Sequence, residues 1–212
     1  VVITFVLLGR WLEARATAPS RFTARNVAEF IDWVKYRAHL ARGVVLGSML
    51  RDEGYHFMQI GTFLERADGV ARLLQIRLAC EGSAGDGAPV THDYYPWSVL
   101  LRALSAFEIF RRVSRDTVTP MSVAEFATFR RDVPRSIYRS AELVYENLLA
   151  VSAPQSSETE RRAGQLHASL RFGTPQSMFG GGVDRFLGDC LARTADLSDR
   201  IGRDFLGHTA TA

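Results

Sequence analysis

Met49–Leu78 reads MLRDEGYHFMQIGTFLERADGVARLLQIRL, thirty residues without a proline. At about 100° per residue, Ile60, Phe63, Leu64, Ala67, Ala71, Leu74 and Leu78 fall in one sector, a stripe suited to a core. An apolar period held over this length specifies a long helix packed on one side. Gly61, Glu65, Asp68 and Arg72 descend a different face at i, i+4, i+7 and i+11. Asp68 and Arg72 are spaced to pair, at a few tenths of a kcal/mol if exposed. Glu65 and Asp68 are like charges three apart, so a positive partner is expected from another element. Glycine in a helix interior costs ~1 kcal/mol against alanine, which makes Gly61 a candidate for close approach of a second backbone or a ligand. Spacing alone leaves two readings of the Leu64-Glu65-Arg66-Ala67-Asp68 segment open. One is a solvated or ion-paired face that fixes packing. The other is a charged recess between helices that binds a ligand or partner.

The start of the same helix holds Glu53 and His56, a Glu-x-x-His spacing used by carboxylate-bridged metal pairs in helical bundles. Such a site needs a second copy. His39, His92, His167 and His208 have no glutamate three residues before them. Glu53 and His56 are therefore weak metal candidates, and satisfied polar side chains are the expectation, with no metal or other cofactor. Glu65 points about 120° away from Glu53 around the helix, which argues against one shared site.

Outward from this helix the pattern stays helical. Val2–Ala16 is apolar with Arg10, Glu13 and Arg15 in its second half, and Pro19-Ser20 ends it. Asn26 is a candidate N-cap for a helix to about Val45 that carries Phe30, Val34, Ala38 and Ala41 on one stripe. Ser48 is a candidate cap for the central helix. Small and polar residues near 81–92 predict a loop. Pro96 suits the first turn of a helix to about Ser114, with Trp97, Phe107 and Phe110 as core. Ser122-x-x-Glu125 and Ser157-x-x-Glu160 read as capping boxes. Pro134 begins a helix to about Val151, Gly173 stops another, Met178–Gly182 is a loop, and a last helix runs from Val183 to Leu206. No segment alternates like a strand. The reading is all-α: a single domain over 1–212, a helical bundle of about six to eight helices.

Composition is that of an ordinary globular chain, 47% hydrophobic and 23% charged over 212 residues. A net charge of +3 gives no reason to expect nucleic acid. Of the 26 basic residues only Lys35 is lysine. That excludes the usual phosphate-loop motif, and it leaves many guanidinium forks for carboxylate or phosphate. Cys80 and Cys190 form neither a disulfide framework nor a zinc spacing, so a reducing cytoplasmic compartment is the default. Ile3–Leu8 is too short to span a bilayer, and no membrane association is expected. Because the chain does not begin with Met, an N-terminal portion is expected to precede it.

Arg130-Arg131-Asp132-Val133-Pro134-Arg135-Ser136 sets arginines around a helix start, so Arg131, Arg135 and Ser136 are anion-binding candidates. Arg111, Arg112 and Arg115 crowd a helix end, where cations suit the dipole anyway. Gly180–Gly182 follows no strand and reads as a hinge. Neither a nucleophile elbow nor a reactive-cysteine context is present.

RDEGYHFMQIGTFLERADGVARLL closely resembles the signature of the bacterial Alpha-E domain, a helical domain with a Glu-Arg motif. FRRDVPRSIYRSAELVYENL is similar to that family's second recurrent block, and Trp97 with Leu100-Leu101 to its Trp-x-x-Leu-Leu helix. The resemblance covers roughly Val27 to Leu206. Members usually carry an earlier Glu-Arg copy, of which LGRWLEARA at Leu8–Ala16 is a faint echo, so the chain resembles the C-terminal two-thirds of such a domain. Family members resemble components encoded or fused with ATP-grasp-type amide ligases and transglutaminase-like peptidases. The resemblance implies binding and positioning roles for Glu65, Arg66 and Asp68, with Arg72 and Arg51 near them. A non-catalytic partner or substrate-presenting module of a peptide-synthesis or peptide-modification pathway is the first expectation. A metal-dependent helical enzyme and a purely structural bundle are the alternatives.

Overall fold

The computed structural model describes residues 24–82, 94–114, 117–151 and 157–206. Among these residues there are nine α-helices, a terminal π-helical turn and no strand. The chain divides into two compact units, Val1–Tyr55 and His56–Ala212. The expected helix over Val2–Ala16, its Glu-Arg echo, and Arg115 lie outside the described residues.

The first unit contains α1 (Ala24–Ser48) and the first turn of α2 (Glu53–Gly82). The α1 helix begins two residues before the expected Asn26 cap. On it Trp33 stacks on Phe30 at 6.5 Å, and Arg37 stands over the Trp33 ring. Ser48 is not the cap of α2. Its hydroxyl donates back to the Val44 carbonyl, and Asp52 takes the capping role by accepting from the Tyr55 amide at 3.0 Å. A carboxylate there also suits the positive end of the helix dipole.

The second unit is the rest of α2 with α3 (Tyr94–Ala103), α4 (Phe107–Val113), α5 (Pro120–Phe129), α6 (Ile137–Val151), α7 (Glu158–Phe172), the single turn α8 (Pro175–Met178) and α9 (Val183–Ile201). The π-helical turn Gly202–Leu206 closes it. The predicted α2 stripe is the observed one. Ile60, Leu64, Ala67, Ala71 and Leu74 are buried, joined by Val70, while Phe63 and Leu78 pack at the margin. They share a core with Trp97, Leu101, Phe110, Val123, Ile137, Val144, Leu148 and Leu187. Of the loop expected near 81–92, Glu81 and Gly82 still belong to α2 and the rest lies outside the described residues. The Glu81 carboxylate accepts hydrogen bonds from the Trp97 indole and from Arg77, fastening the end of α2 to α3.

Three boundaries differ from the sequence reading. The helix expected from Pro96 to Ser114 is two helices. After α3 the Ala106 amide donates to the Leu101 carbonyl and the Ser105 amide to Arg102, with Ser105 at φ 54°. This is a Schellman stop with serine where glycine is usual. At α5 the reciprocal box is made by Thr119 and Ser122, with Pro120 at the first helical position, not by Ser122 and Glu125. At α6 the helix starts at Ile137, because the Ser136 hydroxyl caps it by accepting from the Arg139 amide at 3.0 Å. Ser157 caps α7 by accepting from the Glu160 amide, which is one half of the expected box, and the Gly173 amide closes the helix on the Ser169 carbonyl as expected. The last α-helix ends at Ile201, short of the expected Leu206, and the turn α8 was not expected.

The α6–α7 pair is the most extensive packing in this unit, and α7 also packs on α9, α5 on α6, and α3 on α4 and α5. Gly164 matters here. A Cβ at that position would stand 3.2 Å from the Tyr145 ring, so glycine lets the ring lie against α7.

Candidate functional site

The Glu-Arg pair on α2 sits where one helix borders two different neighbours. Leu64 and Ala67 face the core, which turns Glu65 outward and sets Arg66 at the edge of the packed side. Arg66 reaches the Pro134 carbonyl, just before α6, at 3.1 Å, and its guanidinium lies 4.9 Å from the Phe63 ring centroid. Arg66 therefore anchors the segment that leads into α6.

Glu65 looks the other way, into a groove of about 340 Å³ between α2 and α9. Gly61, Leu64, Glu65 and Asp68 form the α2 wall, and Thr194, Ala195, Ser198 and Asp199 the α9 wall. Asp68 is paired with Arg72 as its spacing predicts, at 2.7 and 3.0 Å. That pair raises the Arg72 guanidinium above its usual value through the Asp68 hydrogen bond. No hydrogen bond or ion pair to the Glu65 or Asp199 carboxylates is found among the described residues. The buried Thr194 hydroxyl donates to the Cys190 carbonyl. Gly61 lines the groove, but a Cβ there would meet nothing within 4 Å. No second backbone approaches this glycine among the described residues, and the groove is open at its level.

Three carboxylates on one groove, with one guanidinium bound to one of them at the rim, make an acidic surface. Arg51 belongs to the first unit, where it stands over the Tyr55 ring.

Of the anion-binding candidates only Arg131 lines a second, shallow recess, together with Arg130, Asp132 and Arg139. Its positive charge is largely met from within. Arg130 is held by Asp132 at 2.6 and 2.8 Å. Arg131 bonds Glu142 at 2.9 Å from one side, and Arg139 bonds the same carboxylate from the other while standing 3.9 Å from Glu146. Ser136 is fully buried and occupied with the cap of α6. Arg135 is half-buried beside it. Three guanidiniums thus face three carboxylates, and a visiting anion would have to displace one of them. Glu142 was not singled out in the sequence, although Arg139-x-x-Glu142 is a legible helical pair. Its side chain is only 5% exposed. Burial pushes its carboxyl up, yet the hydrogen bonds from Arg139 and Arg131 outweigh that and hold it below the usual range.

His56 bonds the Asn147 side chain of α6 at 2.8 Å through Nδ1, and Glu53 is exposed. Among the described residues no cluster of three His, Cys, Asp or Glu side chains is arranged to hold a metal ion. Both cysteines are free thiols, Cys80 exposed and Cys190 buried. Burial drives the Cys190 thiol up to about 12, so it stays protonated at neutral pH and is no nucleophile. No helix among the described residues is long and apolar enough to cross a membrane.

A family model described as a predicted alpha-helical domain with a conserved ER motif, Alpha-E, matches residues 4–206. The chain belongs to the Alpha-E family. No curated protein and no solved structure matches it. The dipeptide Glu-Arg occurs twice in this Alpha-E chain, at Glu65-Arg66 and Glu160-Arg161. The second pair lies in the first turn of α7, where Arg161 bonds Glu158 on the surface. Of the two pairs, Glu65-Arg66 is the one on a groove wall.

Proposed function

We propose that this Alpha-E protein is a non-catalytic, cytoplasmic partner or substrate-presenting module for an ATP-grasp-type amide ligase or a transglutaminase-like peptidase, in a pathway that makes or modifies a peptide. The observation that carries the reading is the Glu65 carboxylate. It is exposed and unpaired among the described residues, and it stands on a groove whose other wall adds Asp199. Carboxylates held ready in this way suit an amine or guanidinium, the group an amide ligase acylates or a basic patch of the enzyme itself. Arg66 serves the reading indirectly, by fixing the helix that displays Glu65. The two free thiols agree with a reducing compartment.

The test is co-purification of the protein with a candidate ligase or peptidase, wild type against Glu65→Gln. Loss of the complex in a variant whose melt is unchanged supports the reading. A Glu65→Gln protein that binds as wild type does removes the groove from it. Turnover of ATP or a peptide by the purified protein alone would refute the non-catalytic part.

A further inference from the structure

His167 of α7 lies between two aromatic rings of α6. Its imidazole centroid is 5.8 Å from that of Tyr138 and stacks at 5.7 Å on Tyr145. The residue is 9% exposed, and its buried Nε2 has no hydrogen-bond partner among the described residues. Gly164, one turn earlier, is what lets the Tyr145 ring close over this position. A neutral imidazole fills the place as an aromatic disc. An imidazolium needs water or an acceptor at each N–H, and a buried charge without one is strongly disfavoured.

The charged groups around the ring do not repair this. From α6, Glu142 and Glu146 face it and favour the charged form, while Arg131 before α6 and Arg171 on its own helix oppose it. Glu142 is already gripped by Arg131 and Arg139, and Glu146 is about half exposed. From α9, which also packs on α7, Arg193 reaches Ser169 and Asp196 reaches Arg162. Burial is the largest influence on the ring and moves its protonation below the usual imidazole range.

We infer that His167 is a proton-responsive latch on the α6–α7 interface, neutral and closed near pH 7 and opened by acidification. The sign follows from linkage. A histidine that protonates less readily when packed binds more protons in the open state, so the closed state weakens as pH falls below the ordinary imidazole range. Opening would draw Glu142 from its arginines toward the new cation and loosen the helix start that Arg66 holds. Acid would thereby act on the segment that supports the Glu65 face.

Amide hydrogen exchange on the whole chain, corrected for intrinsic rates, tests this at pH 7.5 and 5.5. In wild type the opening constant of α6 and α7 amides should rise by up to about tenfold per pH unit. In His167→Phe, which keeps the ring and removes the proton site, protection should be nearly independent of pH. The other four histidines remain in that variant, so the difference belongs to His167. An equal pH response in both proteins overturns the inference. Should His167→Phe fail to fold, an NMR titration of histidine-labelled wild type decides the question. One imidazole titrating below the free range supports the latch, and five ordinary titrations refute it.

Discussion

Replacing Arg131 and Arg139 together by alanine strips both guanidiniums from the Glu142 carboxylate, which is only 5% exposed in the native protein. A pair of opposite charges ~4 Å apart is worth about 4 kcal/mol at an effective dielectric near 20, which roughly offsets the desolvation of the carboxylate. With the arginines gone only the desolvation remains, and a stranded buried charge costs about 3–5 kcal/mol. For a chain of this size that is a fall in Tm of roughly 6–20 °C at pH 7. The pH profile should also change sign. In wild type the arginines hold Glu142 below its ordinary value of 4.5. Its stabilisation is therefore present above that value and is lost as pH falls through the lower folded-state value. In the double variant burial alone acts and raises the folded-state value. The variant should then gain stability relative to wild type as pH falls and the carboxyl takes up a proton. Urea denaturation of both proteins between pH 4 and 8 measures this directly. Adding Glu142→Gln to the double variant should recover most of the loss at pH 7, because the stranded charge is gone. A double variant within about 1 kcal/mol of wild type at pH 7, with the wild-type pH profile, would show that Glu142 is solvated and that the clamp is not a structural element.

Arg66→Ala should lose about 2 kcal/mol in urea denaturation, from a charge-assisted bond to the Pro134 carbonyl and the contact with Phe63, whereas Glu65→Ala should stay within about 0.5 kcal/mol of wild type. Equal losses would mean that the two residues share one role. Ser105→Gly should stabilise the protein by about 0.5–1 kcal/mol, since the left-handed conformation at φ 54° strains any Cβ. A destabilised Ser105→Gly would show that the serine side chain does something there which its backbone conformation does not reveal.

The long-range pattern was legible and the local punctuation less so. The α2 stripe could be read because burial on one side of a helix imposes a period that no other structure shares, and each of its seven residues follows the one before by no more than four positions. The division between α3 and α4 could not, since its signal is usually a glycine, and here Ser105 makes the same stop without one. The Thr119 cap carries no usual signal either, because Thr119-x-x-Ser122 lacks the glutamate or glutamine that marks a capping box, whereas Ser122-x-x-Glu125 has it. At the site, the Asp68–Arg72 pair followed from spacing within one helix. The Glu142 clamp did not, because Arg131 reaches it from a loop and nothing in the sequence marks that residue of α6 as buried. The same limit explains the arginine cluster before α6. Its charge is plain in the sequence, and so is Asp132 beside Arg130, but the Glu142 carboxylate that meets Arg131 becomes its neighbour only on folding.

Two anchors converge on residues 130–136, and their positions explain why the stretch around Glu65 and the stretch around Pro134 behave as one unit. Arg66 holds the Pro134 carbonyl from α2, and Arg131 ties the start of the same segment to Glu142 inside α6. Neither anchor uses Glu65. A helix held on its packed edge by Arg66 can present a carboxylate on its other edge without bending the packing, so binding at Glu65 and stability at Arg66 are separable by mutation. Exchanging the two residues would place a carboxylate against the Pro134 carbonyl and a guanidinium on the acidic groove. The first change removes the anchor and adds repulsion between two acceptors, and the second cancels the charge that would attract an amine. The order Glu-Arg, and not merely the presence of both charges, is what this arrangement requires.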